Sequence, residues 1–231
     1  MTAAQLVLDL PHRESWDEAD FFVTSRNERA LRLVTAWPDW HSPAAIVYGP
    51  RQSGKTYLAK IWQSRSKAQF LEPSRLAAHI WSDPFAPLIL EDIDTASFCE
   101  TALFHHLNLV REHASSILLT AEAPPGQWNI SVPDLRSRVR SYPAEGIQPP
   151  DEEHLAGLLV KHFSDRQIEV TPDVISYLVA RMERTMSAAQ RLTALIDKLA
   201  LSQHRRITRA FAAKVLKEVD TRGGEDGRSE G

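Results

Sequence analysis

AAIVYGPRQSGKT, residues 44–56, opens on a short apolar run and breaks into Gly49-Pro50-Arg51-Gln52-Ser53-Gly54-Lys55-Thr56. That spacing fits the phosphate-loop pattern G-x-x-x-x-G-K-[ST]. Glycines at both ends, with Gln52 and Ser53 between them, let the backbone wrap a polyphosphate with its N–H groups turned inward. Lys55 then reaches the outer phosphates, and the Thr56 hydroxyl is placed for Mg²⁺. Leu58, Ile61 and Trp62 recur at helical spacing, so the loop runs into a helix N-terminus, which favours negative charge. The stretch predicts strand, phosphate loop and helix, hence a nucleotide-binding α/β fold.

Working downstream, residues 68–71 read as a second strand and 74–81 as a helix begun by Ser74. Leu88-Ile89-Leu90 is wholly apolar and closes on Glu91-Asp92. A phosphate loop needs such a Walker B element: one carboxylate serves the Mg²⁺ shell and the next polarises the attacking water. Residues 102–112 have a helical pattern that includes His105 and His106, without zinc-site spacing. Residues 116–120 form another buried-strand candidate, ending at Thr120 where a γ-phosphate sensor would lie. Arg136, Arg138 and Arg140 alternate within residues 133–140. In an extended turn all three would share one side, so spacing alone does not choose among them. From Asp151 the pattern is helical throughout, with Leu155, Leu158, Leu159 and Phe163 on one face, then Thr171-Pro172 as a helix start. Residues 221–231 read as a disordered, charged, Gly-rich tail.

Upstream of the loop, Phe21, Phe22 and Val23 can wall a base pocket or equally belong to ordinary core, ahead of a helix over residues 28–37. Residues 1–17 read as an extended arm containing QLVLDLP, residues 5–11. Gln5, Leu6, Leu8 and Leu10 there make either an edge strand or a short peptide that docks on a partner.

Composition limits the classes. The chain has 231 residues, 43% hydrophobic and 25% charged, with net charge −3. That balance gives no support to nucleic-acid binding through bulk positive charge. The one cysteine, Cys99, allows no internal disulfide and suits a reducing cytoplasm. No apolar run approaches membrane-spanning length.

An α/β nucleotide domain followed by a helical lid resembles the AAA+ ATPases. The order GPRQSGKT, LILEDID, ILLTAEAPP, DLRSR and IQPP is similar to the ATPase domain of the DnaA group, and most similar to the Hda family. The resemblance runs from Gln5 to about Val219. It implies a P-loop AAA+ fold with a parallel sheet core over residues 18–150, a lid over 151–220 and bound ADP or ATP with Mg²⁺. It further implies that Gln5, Leu6, Leu8 and Leu10 dock on the DNA polymerase III sliding clamp (β subunit), bringing the chain to DNA indirectly. DnaA is the implied target, and the family also allows homo-oligomers. Residue by residue, Gly49, Gln52, Ser53, Gly54, Lys55 and Thr56 match phosphate and metal contacts. Phe22 and Val23 match the adenine wall, Glu91 and Asp92 the Walker B acids, and Thr120 the first sensor. Arg138 matches an arginine finger acting on a neighbour's nucleotide. Three positions depart. Glu91 stands for an aspartate, Glu122-Ala123 for an Asp-Arg pair, and Ser187 for the second sensor arginine, with Arg184 one turn away as a substitute. These departures bear on hydrolysis more than on binding. A free-standing P-loop ATPase or kinase, or a clamp-loader-type protein using Arg205, Arg206 and Arg209 on DNA, remain the alternatives.

Overall fold

The computed structural model describes residues 16, 18–79, 86–203 and 205–226, with side chains described up to residue 218. The arm residues Gln5, Leu6, Leu8 and Leu10 lie outside the described residues.

Five parallel strands form one sheet in the order β2-β3-β4-β1-β5. They are β1 (Ala44–Tyr48), β2 (Gln69–Phe70), β3 (Leu88–Leu90), β4 (Ile117–Ala121) and β5 (Ala144–Gly146). β1 aligns Ala44 with Ile117 and Tyr48 with Ala121, and β3 aligns Leu88 with Ile117. The central strands of a parallel sheet are covered on both faces, which is why β1, β3 and β4 are almost wholly apolar runs, unlike the edge strands β2 and β5. Ile46, Leu88, Leu90, Ile117 and Leu119 enter one core with α3 (Glu100–Glu112) and α4 (Pro133–Ser141). The alternate residues Ala45, Val47, Ile89 and Leu118 enter the other with α1 (Glu28–Thr35) and α2 (Lys55–Ser66). Each of the larger side chains buried completely in this way contributes about 1.5–3 kcal/mol.

A separate apolar cluster joins α5 (Glu152–Asp165), α6 (Pro172–Val179), α7 (Met186–Gln203) and α8 (Arg209–Asp226). The Asp151 carboxylate caps α5 by accepting from the His154 N–H at 2.8 Å. The Thr208 hydroxyl accepts from the Phe211 N–H at 3.3 Å at the start of α8.

Three local expectations change. Of the helix expected over residues 74–81, the described part is a 3-10 helix over Pro73–Ala78, the tighter form common in short connectors; residues 80–85 lie outside the described residues. The arginine stretch is helical rather than extended. Leu135 and Val139, four apart and fully buried, set its period. Its start is held by the Glu100 carboxylate, which accepts from the N–H groups of Ser131 (2.9 and 3.1 Å) and Val132 (2.8 Å). Finally, α8 continues to Asp226, through residues expected in the tail. Propagation of a formed helix adds one bond per residue, so Gly223 and Gly224 weaken it without ending it.

Candidate functional site

β4 separates β1 from β3, so the loop after β1 and the acids after β3 emerge at one sheet edge, a strand apart. The Gly49 N–H donates to the Ala121 carbonyl at 3.0 Å, and a Cβ on Gly49 would stand 2.6 Å from the Ile147 carbonyl oxygen. Only glycine fits that approach. Gly54, at φ +101, turns the chain into α2.

Lys55 is buried in this loop, and its Nζ donates to the carbonyls of Gly49 (2.9 Å) and Pro50 (3.2 Å). Asp92 Oδ1 lies 3.5 Å from the same nitrogen. The Thr56 hydroxyl donates to Glu91 Oε1 at 2.7 Å. Thr120 is buried, and its hydroxyl accepts from the Asp92 N–H at 3.0 Å, fixing the turn that carries both acids. Asp94, which sequence reasoning passed over, accepts from the N–H groups of Glu122 (2.9 and 3.0 Å) and Ala123 (2.7 Å). It holds the exit of β4. The Glu122 carboxylate in turn receives Arg51 Nε of the phosphate loop at 2.7 Å.

A cavity of about 510 Å³ opens over the loop, within the usual range for a small-molecule site. Gln52, Gly54, Lys55, Thr56 and Asp92 form its floor, and Phe21 and Phe22 one wall. The lid supplies Leu158 and His162 from α5, and Met186, Ser187 and Gln190 from α7. Phe22 seats directly on Gly157, where a Cβ would stand 2.4 Å from its Cζ. The Ser187 hydroxyl donates to Gln52 Oε1, and Arg191 donates to that hydroxyl at 3.2 Å. Lid and loop are thus joined by the Ser187–Gln52 hydrogen bond.

The residues present fit a nucleotide and its cation. Ser53 Oγ is buried in the loop without a partner among the described residues, an acceptor and donor ready for a phosphate oxygen. Thr56 and Glu91 offer one hydroxyl and one carboxylate. No cluster of three or more His, Cys, Asp or Glu side chains with metal-site geometry occurs among the described residues. A phosphate-loop Mg²⁺ needs none, since it keeps waters and takes phosphate oxygens.

Several expected residues stand elsewhere. Val23 is 44% exposed and does not line the cavity, which takes Phe21 and Phe22 from this stretch instead. Arg184 does not line it either. It makes an exposed ion pair with Glu152 at 2.6 Å, on the connection that precedes α7. Arg191, on α7 itself and one hydroxyl removed from the loop, is the lid cation nearer to that position. Gly49, Ser53, Glu91 and Thr120 are not among the residues that line the cavity. Arg138 lies outside it. Its guanidinium sits 4.6 Å from the Phe104 ring centroid and donates to Asn108 Oδ1 at 2.5 Å, both on α3. At about 100° per residue, α4 carries Arg136 and Arg140 on one side and Arg138 on the other.

Burial lowers the His162 pKa to about 4, with Arg166 acting in the same direction. A base that is harder to protonate when folded destabilises the fold as the unfolded chain protonates. Stability should therefore rise with pH from about 4 to the ordinary histidine value of 6.5. Burial also depresses His106 and His154, adding to the trend. His162→Asn is expected to flatten part of the slope of melting temperature against pH over that window. An unchanged slope would remove His162 from the account.

A parallel sheet that carries a phosphate loop and paired acids at one edge, closed by a helical lid, defines a P-loop protein of the AAA+ class. Residues 151–216 match the family model for the Hda lid domain. The chromosomal replication initiator DnaA of Thermomicrobium roseum is 28% identical over 235 residues, covering 87% of this chain and 49% of that one. The chain therefore spans about half the length of that relative. Domain III of Thermotoga maritima DnaA superimposes with a TM-score of 0.74 at 15% identity, over 88% of this chain and 96% of that one. A replication initiator DnaA bound to AMPPCP and single-stranded DNA gives 0.69 at 17% identity, over 82% and 68%. The chain thus shares the fold of DnaA domain III, and residues 151–216 carry the Hda-type lid.

Proposed function

We propose that this protein is a nucleotide-dependent regulator of replication initiation that acts on DnaA. Adenine nucleotide, ADP in the active form, is held between the phosphate loop and the lid. Lys55, Ser53 and the loop N–H groups take the phosphates. Phe22, Leu158 and Met186 enclose the base, and Thr56 with Glu91 holds Mg²⁺. When bound, the cation supplies charge neutralisation at the phosphates. The arm over residues 1–17, through Gln5, Leu6, Leu8 and Leu10, docks on the sliding clamp, and residues 18–150 and 151–220 act as nucleotide domain and lid. Arg138 is offered in trans to ATP on DnaA, where a guanidinium offsets the charge that develops on transfer.

The observation that carries this reading is the position of Arg138. It does not line the chain's own cavity, yet its guanidinium is positioned by Phe104 and Asn108. A held arginine away from its own nucleotide suits service to a neighbour's. Glu91 supports a weak hydrolase at most, because its carboxylate is one methylene further from the strand than an aspartate's and receives the Thr56 hydroxyl.

The test is the rate of ATP hydrolysis by DnaA with and without this protein, clamp and DNA. Stimulation is expected only with all components present. A chain lacking residues 1–11 should lose stimulation and clamp binding while keeping its affinity for ADP. No stimulation by the intact protein would overturn the reading.

A further inference from the structure

From Lys198 to Lys217 the sequence contains no acidic residue and six basic ones, Lys198, Arg205, Arg206, Arg209, Lys214 and Lys217. The chain as a whole is negative, at −3, so this stretch has the opposite sign to its surroundings. In the fold it forms the end of α7, the connection and the first half of α8. Packing of α6 against α8 adds a seventh cation. The guanidinium of Arg181, just beyond α6, lies 4.2 Å from the Tyr177 ring centroid, and that of Arg209 lies 5.0 Å from the same ring.

Two guanidiniums at one neutral ring are held without being neutralised. Arg181, Arg205, Arg206 and Arg209 are all exposed, and none forms an ion pair among the described residues. Other lid arginines do: Arg166 with Asp197, Arg184 with Glu152 and Arg191 with Glu183. The difference is local and covers four arginines of one surface. None of the four lines the nucleotide cavity.

Guanidinium is always charged, planar and matched to phosphate oxygens, so unpaired arginines spread over a surface suit a ligand with repeating phosphates. Duplex DNA offers about one negative charge per 1.7 Å of axis, which lets several separated guanidiniums engage at once. We propose that this face of the lid binds the backbone of duplex DNA directly, without reading sequence. The contact goes beyond DNA reached through a clamp, and needs neither the clamp nor DnaA. It therefore stands or falls separately from the regulatory reading.

The experiment is fluorescence anisotropy of a labelled 25-base-pair duplex of arbitrary sequence, titrated with the full chain at several salt concentrations. Four phosphate contacts predict a slope of log K against log salt of about −3.6, or roughly a hundredfold weakening between about 50 and 200 mM. The triple variant Arg205→Ala, Arg206→Ala, Arg209→Ala should lose most of that slope, and Arg181→Ala about one unit of it. Both should retain the wild-type affinity for ADP, which reports an intact fold. Absence of binding by the wild type at the lowest salt would overturn the proposal, as would variants with its full slope. Competition by poly-glutamate as effective as that by unlabelled duplex would assign the surface to an acidic protein instead, and would equally overturn it.

Discussion

Lys55→Ala is expected to weaken ADP and ATP binding by at least about a hundredfold, leaving a folded chain. A hydrogen bond to a charged group contributes about 1.5–3 kcal/mol, and each 1.4 kcal/mol is tenfold in affinity. Lys55 supplies more than one such bond in a buried setting. Its ammonium already lies among the Gly49 and Pro50 carbonyls and 3.5 Å from Asp92, so its charge is in place before ligand arrives. Alanine leaves those two carbonyls without that donor, but water reaches the open cavity above them, which limits the cost to the fold. Isothermal calorimetry measures the affinity, and a thermal melt within a few degrees of wild type shows that folding survives. Unchanged affinity in a folded variant would remove the phosphate loop from the nucleotide site.

What could be read from the chain beforehand depended on whether the information was local. β1, β3 and β4 were legible because strands buried on both faces must be continuous apolar runs, and AAIVY, LIL and ILLTA are such runs. Lys55, Thr56, Glu91 and Asp92 were legible because two short motifs at strand ends are brought together by the order of a parallel sheet. β5, with the sequence AEG, carries no strand signal of its own; pairing with β1 makes it one. The roof of the cavity was hidden for a similar reason. Leu158, His162, Met186 and Gln190 lie more than a hundred residues beyond the loop they cover, and only the packing of the lid helices aims them there. Val23 illustrates the reverse error. The apolar stretch supplies two contacts, but they are Phe21 and Phe22, while Val23 faces solvent. In the arginine stretch, the charge pattern had period two whereas the buried residues, Leu135 and Val139, have period four. Burial prevailed, because two fully buried aliphatic side chains outweigh the weak preferences of exposed charges.

That helical period sharpens the largest effect expected of any substitution here, which would be read on another protein's chemistry. Arg138→Ala should abolish stimulation of ATP hydrolysis by DnaA, a loss of about 10³–10⁵ in rate if the guanidinium acts as a finger. The same variant should bind ADP and clamp normally, since Arg138 does not line the cavity. The side chain is half-buried, and its contacts with Phe104 and Asn108 are each worth on the order of 1 kcal/mol, too little to unfold a domain with this core. Arg138→Lys should rescue poorly, because an ammonium lacks the planar fork that spans two phosphate oxygens. The controls come from the helix itself. Arg136 and Arg140 lie on the other side of α4 and hydrogen-bond to the carbonyls of Ile130 and Gly126. Arg140→Ala should therefore leave stimulation nearly intact, which an extended segment with all three arginines on one side would not predict. Asn108→Ala should fall between, because it frees the guanidinium without removing its charge. Full stimulation by Arg138→Ala, or an equal loss in Arg140→Ala, would show that the finger is another residue or that α4 meets DnaA by general charge alone.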